Sequence, residues 1–107
     1  MEPANILKIN TLDQQWSDKD NVMLHACFQL LVDCVENEQL LDGHIDWSVD
    51  QLHIHARQEL LQLYNWWRKR VEGEKQGEIV QTMDEVQYQI DDEMLIRLIK
   101  VRRFLWT

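Results

Sequence analysis

Residues 49–71 read VDQLHIHARQELLQLYNWWRKRV, and this stretch decides the fold. Val49, Leu52, Ala56, Leu60, Leu63, Trp67 and Val71 recur at intervals of three and four. On a helix that spacing draws one unbroken apolar stripe over roughly six turns. Strand pairing would need apolar residues at every second position, and the segment does not alternate in that way. Ser48 followed by Gln51 has the spacing of a capping box and marks the start, while Gly73 and Gly77 in VEGEKQGE mark the end in a polar loop. A stripe of this length has to be covered along its whole course, so the flanking sequence is expected to supply partner helices.

It does so on both sides. Upstream, Ser17 with Asp20 forms an N-cap pattern, and Met23, Leu24, Cys27, Leu30, Leu31, Cys34 and Val35 follow at helical spacing to about Asn37. Residues 38–47 (EQLLDGHIDW) contain Gly43, Asp42 and Asp46 and read as the reversing turn. Downstream, Thr82 with Glu85 repeats the capping-box spacing. Met83, Val86, Ile90, Met94, Leu98, Val101 and Leu105 then carry a third helix nearly to Thr107. Residues 1–16, with Pro3, Asn5 and Asn10 around ILKIN, form an N-terminal arm. The expected architecture is all-α: an up-down-up three-helix bundle over residues 17–107.

Charge agrees with that topology. It sets acidic helix starts (Asp18, Asp20, Asp84, Glu85) near Arg68, Lys69 and Arg70, and basic Arg97, Lys100, Arg102 and Arg103 near Glu36, Glu38, Asp46 and Asp50. Each such pair contributes only about 0.2–1 kcal/mol, so the charges select topology more than they stabilise it.

Composition bounds the function. The 107 residues make one domain, and surface scaling has folding remove about two-thirds of the chain's surface from water. The formal charge is −8, with 19 acidic and 11 basic side chains. Residues 1–50 hold 10 acids and two lysines, whereas residues 51–107 hold nine of each. Direct nucleic-acid binding is set aside, because neutralising phosphates takes a basic face. No apolar run approaches the roughly 20 residues of a membrane span, and no basic-then-apolar segment opens the chain; a cytoplasmic protein is expected. Cys27 and Cys34 lie seven residues apart on one helix, their Cα atoms about 10 Å apart, too far for a disulfide. They read as small core residues of a reducing compartment.

Chemistry-bearing residues are few. His25, Gln29, Asp33 and Glu36 share one helix face, either a proton-transfer or metal surface or simply the solvated side of an amphipathic helix. His53 and His55 point about 200° apart and cannot chelate one ion, while His55 and Glu59 suit a surface contact. Asp33-x-x-Glu36 is similar to half of the magnesium-binding motif pair of MazG-like nucleotide pyrophosphohydrolases. The second motif is missing, since Glu59, Glu85 and Glu93 are followed three places later by Gln62, Tyr88 and Ile96. In that reading Asp33, Glu36, Asp92 and Glu93 would hold the metal. No GxSxG, Walker or GxGxxG element occurs, and no cofactor is expected.

Five tryptophans are many for this length. Adjacent Trp66 and Trp67 diverge by about 100°, and Trp67 belongs to the stripe. Trp66, near Arg70, reads either as an exposed anchor of the aromatic-plus-arginine type found at interface hot spots or as a ring packed against the flank of the first helix or the N-terminal arm. Trp106 raises the same question, and a homodimer would bury both.

The strings WSDKDNVMLHACFQLLVDCVE (16–36), LYNWWRKR (63–70) and DDEMLIRLIKVRRFLWT (91–107), in that order, resemble a group of small proteins encoded by tailed bacteriophages. The resemblance spans Trp16 to Thr107 and rests on the WxDKD, HAxFQxLVDxVE, WW and LWT patterns; it implies a phage origin and no activity. The functional expectation is a non-enzymatic interaction protein that binds a host or anti-phage defence protein through Trp66, Arg70, Trp106, His25, Asp33 and Glu36. The alternatives are a DNA-mimic inhibitor of a nucleic-acid enzyme and the divergent metal-dependent hydrolase.

Overall fold

The computed structural model describes residues 6–13, 16–43, 45–77 and 85–105. They contain three α-helices, α1 (Lys19–Glu36), α2 (Gln51–Lys75) and α3 (Glu85–Val101), and a 3₁₀ turn, Arg102–Phe104. No strand occurs among the described residues. Glu36 at the end of α1 meets Tyr64 and Arg68 while His25 near its start meets Glu74, so α1 and α2 are antiparallel. Asp20 and Tyr88, both in first turns, are hydrogen-bonded, so α1 and α3 run in parallel. This is the expected up-down-up three-helix bundle.

Helix boundaries depart from the expected ones for local reasons. Asp18, rather than Ser17, caps α1, and its side chain makes no capping bond. Asp50, rather than Ser48, caps α2 and accepts from the His53 N–H at 2.8 Å. Ser48 is drawn instead to Asp46, donating both its hydroxyl (2.6 Å) and its backbone N–H (2.9 Å) to Oδ1. Thr82, the cap expected for the third helix, lies outside the described residues. Gly73 does not end α2: it is buried, and packing outweighs the roughly 1 kcal/mol that glycine costs inside a helix. The stop comes at Gly77, whose φ of +74° is left-handed. The third helix is shorter than its periodicity suggests, because the chain tightens after Val101 and turns Phe104 into the core.

Phe28, Leu31, Leu60, Leu63 and Trp67 are completely buried, with Phe28 stacked on Trp67 at 4.7 Å between centroids. The connection between α1 and α2 is more than a turn, since it supplies Leu40, Leu41 and Trp47 to this core. The Trp47 indole donates to the Leu40 carbonyl at 3.1 Å, and its ring lies 6.2 Å from Phe104. Within this connection a Cβ on Gly43 would stand 2.7 Å from the Gln39 carbonyl oxygen, so only glycine fits.

The buried face of α1 is turned by about one residue's 100° from the expected stripe. Asn21, Leu24, His25, Phe28, Gln29 and Leu31 are inside, whereas Met23 and Leu30 are exposed. The driving contact is Phe28 stacked on Trp67, both fully buried. On α3, Leu98 and Asp91 are buried and the expected core residues Val86 and Ile90 are exposed.

Candidate functional site

A polar relay, buried at His25, Gln29, Arg70 and Asp91, crosses the bundle. It begins in the arm, where the Asn10 N–H donates to Gln29 Oε1 at 3.0 Å and Thr11 Oγ1 lies 2.6 Å from His25 Nδ1. His25 Nε2 is 3.2 Å from Glu74 Oε2 on α2, and Arg70 Nη1 donates to the same oxygen at 3.0 Å. Arg70 then grips Asp91 on α3 with Nε and Nη2, each at 2.9 Å, and Gln87 donates to Asp91 Oδ1 at 2.8 Å. A carboxylate only accepts, so a neutral ring at His25 would carry its proton on Nε2 towards Glu74 and accept the Thr11 hydroxyl at Nδ1. Burial opposes the charge on Arg70, but its bonds to Asp91 and Glu74 outweigh that and hold the guanidinium above its ordinary pKa.

Hydroxyl, imidazole and carboxylate stand in the order of an acyl-transfer triad, yet the surroundings suit another role. His25 keeps 1% of its surface and packs edge-on to Trp67, and Glu74 is committed to Arg70. The relay pins the arm over the polar face of α1 and ties that helix to α2 and α3.

The structure places the expected binding residues differently from one another. His25 and Arg70 are buried. The polar face of α1 splits in two: the arm covers His25 and Gln29, Asp33 is half-buried and accepts from Gln29 at 2.8 Å, and Glu36 alone of the four is exposed. Glu36 accepts from the Tyr64 hydroxyl (2.6 Å) and Arg68 (3.1 Å). Trp66 is half-buried, its ring 5.4 Å from Phe28, because the α1 aromatic reaches both indoles of the pair. Trp106 lies outside the described residues.

The charged pairs also differ from those expected. Arg68 reaches Glu36 rather than the helix starts, and Arg97 pairs with Glu59 on α2. Glu59 is thus engaged by Arg97 and not by His55. Asp92 and Glu93 are exposed, while their neighbour Asp91 is the buried carboxylate. Among the described residues no three His, Cys, Asp or Glu side chains are grouped so that they could hold a metal ion. Cys27 and Cys34 are half-buried free thiols; burial, with the charges of Asp33 and Glu38, pushes Cys34 up to about 11.

The tryptophan left exposed among the described residues is one that the periodicity did not single out. Trp16 is 84% exposed, beside a shallow groove of about 320 Å³ lined by Ile9, Leu12, Asp13, Ser17, Lys19 and Val22. Ile6 and Leu7 of the arm are exposed as well. The available signal was that Trp16 belongs to no helical stripe and so has no core position assigned to it.

No described helix is long and apolar enough to cross a membrane. No protein-family model, curated protein or solved structure matches this chain.

Proposed function

We propose that this chain is a non-enzymatic interaction protein of bacteriophage origin that binds and modulates a host or anti-phage defence protein in the infected bacterial cell. The observation that carries the reading is the exposed indole of Trp16, beside a shallow groove of mixed polar and apolar lining, on an arm that hydrogen bonds hold at Asn10 and Thr11. Large exposed aromatics supply binding energy at interfaces out of proportion to their number. An arm held by Thr11 and Asn10 presents that indole with less ordering cost on binding.

The test is affinity capture of the tagged protein from a bacterial lysate after nuclease treatment. The expected result is one stoichiometric partner for the native chain that is lost with Trp16→Ala at an unchanged melting temperature. Recovery of the bait alone, or equal capture by Trp16→Ala, would overturn the reading. If the partner is a nucleic-acid enzyme, the ten acids of residues 1–50 make phosphate mimicry the better description of how it is bound.

A further inference from the structure

A groove of about 350 Å³ opens between the start of α2 and the end of α3. Its floor is apolar: Ala56 and Phe104 are buried, Val101 is half-buried, and Leu52 stands exposed at one end. Lys100 and Arg103 line one wall, and His55, Gln58, Glu59 and Gln62 line the other. Arg70 on Asp91 and Arg97 on Glu59 make α2 and α3 antiparallel, which puts the groove at the opposite end of the bundle from Trp16.

The charge of this groove runs against that of the chain. Glu59, the one carboxylate that lines it, is taken up by Arg97 through Nε at 2.9 Å and through Nη2, which also donates to Gln62 Oε1 at 2.9 Å. Lys100 and Arg103 have no carboxylate partner among the described residues. Two positive charges are therefore left beside an apolar floor, in a chain whose formal charge is −8. Arg103 lies over the Phe104 ring at 5.0 Å, a contact that steadies the guanidinium and leaves its N–H groups for an anion.

The shape suits an extended chain better than a compact molecule. From Leu52 to Gln62 the α2 wall runs about 15 Å, the reach of four or five extended residues. Leu52, His55, Gln58, Gln62, Lys100 and Arg103 are all exposed, so the trough covers one side of an occupant, whereas a small-molecule pocket buries most of its ligand. His55 and Gln58 carry donors and acceptors that a peptide backbone can use.

We infer that this groove binds a short, extended acidic segment of another protein, one with apolar side chains among its carboxylates. Lys100 and Arg103 receive the carboxylates, and Leu52, Ala56 and Val101 receive the apolar groups. Opposite charge selects and steers such a segment, while burial on the floor adds affinity. The inference does not rest on the surface around Trp16.

Fluorescence anisotropy with the full chain and a fluorescein-labelled peptide of alternating Glu and Leu tests it, beside control peptides of alternating Glu and Ser and of alternating Lys and Leu. The Glu and Leu peptide is expected to bind at least about tenfold more tightly than either control, and to weaken as salt screens the two cations. Lys100→Glu and Arg103→Glu should each weaken binding roughly tenfold at an unchanged melting temperature, whereas Trp16→Ala should leave it as it is. On titration with the peptide, nuclear magnetic resonance shifts should move at the backbone amides of His55, Gln58, Lys100 and Arg103. No binding of the Glu and Leu peptide, equal binding of either control, or full affinity in both charge reversals would overturn the inference.

Discussion

Arg70 of α2 and Asp91 of α3 meet as a two-pronged pair, Nε to Oδ1 and Nη2 to Oδ2, each at 2.9 Å, with both side chains buried. Removing one partner leaves a buried carboxylate uncompensated, which costs far more than the pair itself contributes. Arg70→Met is therefore expected to lose about 3–5 kcal/mol in urea unfolding. Arg70→Met combined with Asp91→Leu should recover part of the loss, since Glu74 alone then lacks its cation. A single-variant loss below about 1 kcal/mol would show that water reaches the pair.

Among the contacts that hold the arm are two hydrogen bonds, Asn10 N–H to Gln29 and Thr11 to His25. Gln29→Met keeps the side-chain length and removes the acceptor. Hydrogen exchange at the Asn10 amide should then speed up while the central amides of α2 keep their protection. Unchanged exchange at Asn10 would mean that the arm is held by other contacts.

Two glycines answer to backbone geometry, and both alanine variants should destabilise. At Gly77, φ of +74° sets the cost of an added Cβ near 1 kcal/mol, the reverse of the gain usual for Gly→Ala elsewhere. Gly43→Ala forces a Cβ to within 2.7 Å of the Gln39 carbonyl and should cost more, because Leu40, Leu41 and Trp47 must shift with that connection. Thermal melts of the two variants check the order.

Asn21 is buried, and its Nδ2 has no hydrogen-bond partner among the described residues. An unsatisfied buried donor is a standing cost, so an apolar replacement of similar size should stabilise. Asn21→Leu is expected to raise the unfolding free energy by about 1 kcal/mol. A loss of similar size would show that the amide is satisfied in solution.

Cys34 gives the alkaline limb of stability its sign. The folded thiol titrates at about 11 against an ordinary 9.0, so the fold favours the protonated form. Its contribution is complete below the ordinary thiol range and is lost as pH rises through 9 towards 11. Cys34→Ala should flatten that part of the profile, and thiol-trapping reagents should react more slowly with Cys34 than with an unfolded control at pH 8 to 9. Equal trapping rates would place the thiolate in water.

Helix number, order and direction were legible in the sequence, because the apolar stripe around Leu60, Leu63 and Trp67 is long and can be buried in few ways. Intervals of three and four fix which segments are helical, and the polar connections between them favour antiparallel neighbours. Periodicity does not fix the rotation of a helix whose other faces are also partly apolar. On α1 the choice between a face through Met23 and Leu30 and a face through Phe28 fell to the stacking of Phe28 on Trp67, a contact 39 positions apart in the chain. The same rotation buried His25 and Gln29 beneath the arm, which sequence spacing alone presents as a polar face. Asp91 was hidden in the run Asp91, Asp92, Glu93, whose members look alike until Arg70 selects one. Local periodicity thus determined which segments coil and in what order. The packing of large aromatic rings and one buried ion pair, both long-range contacts, decided which faces meet and which stay open to a partner.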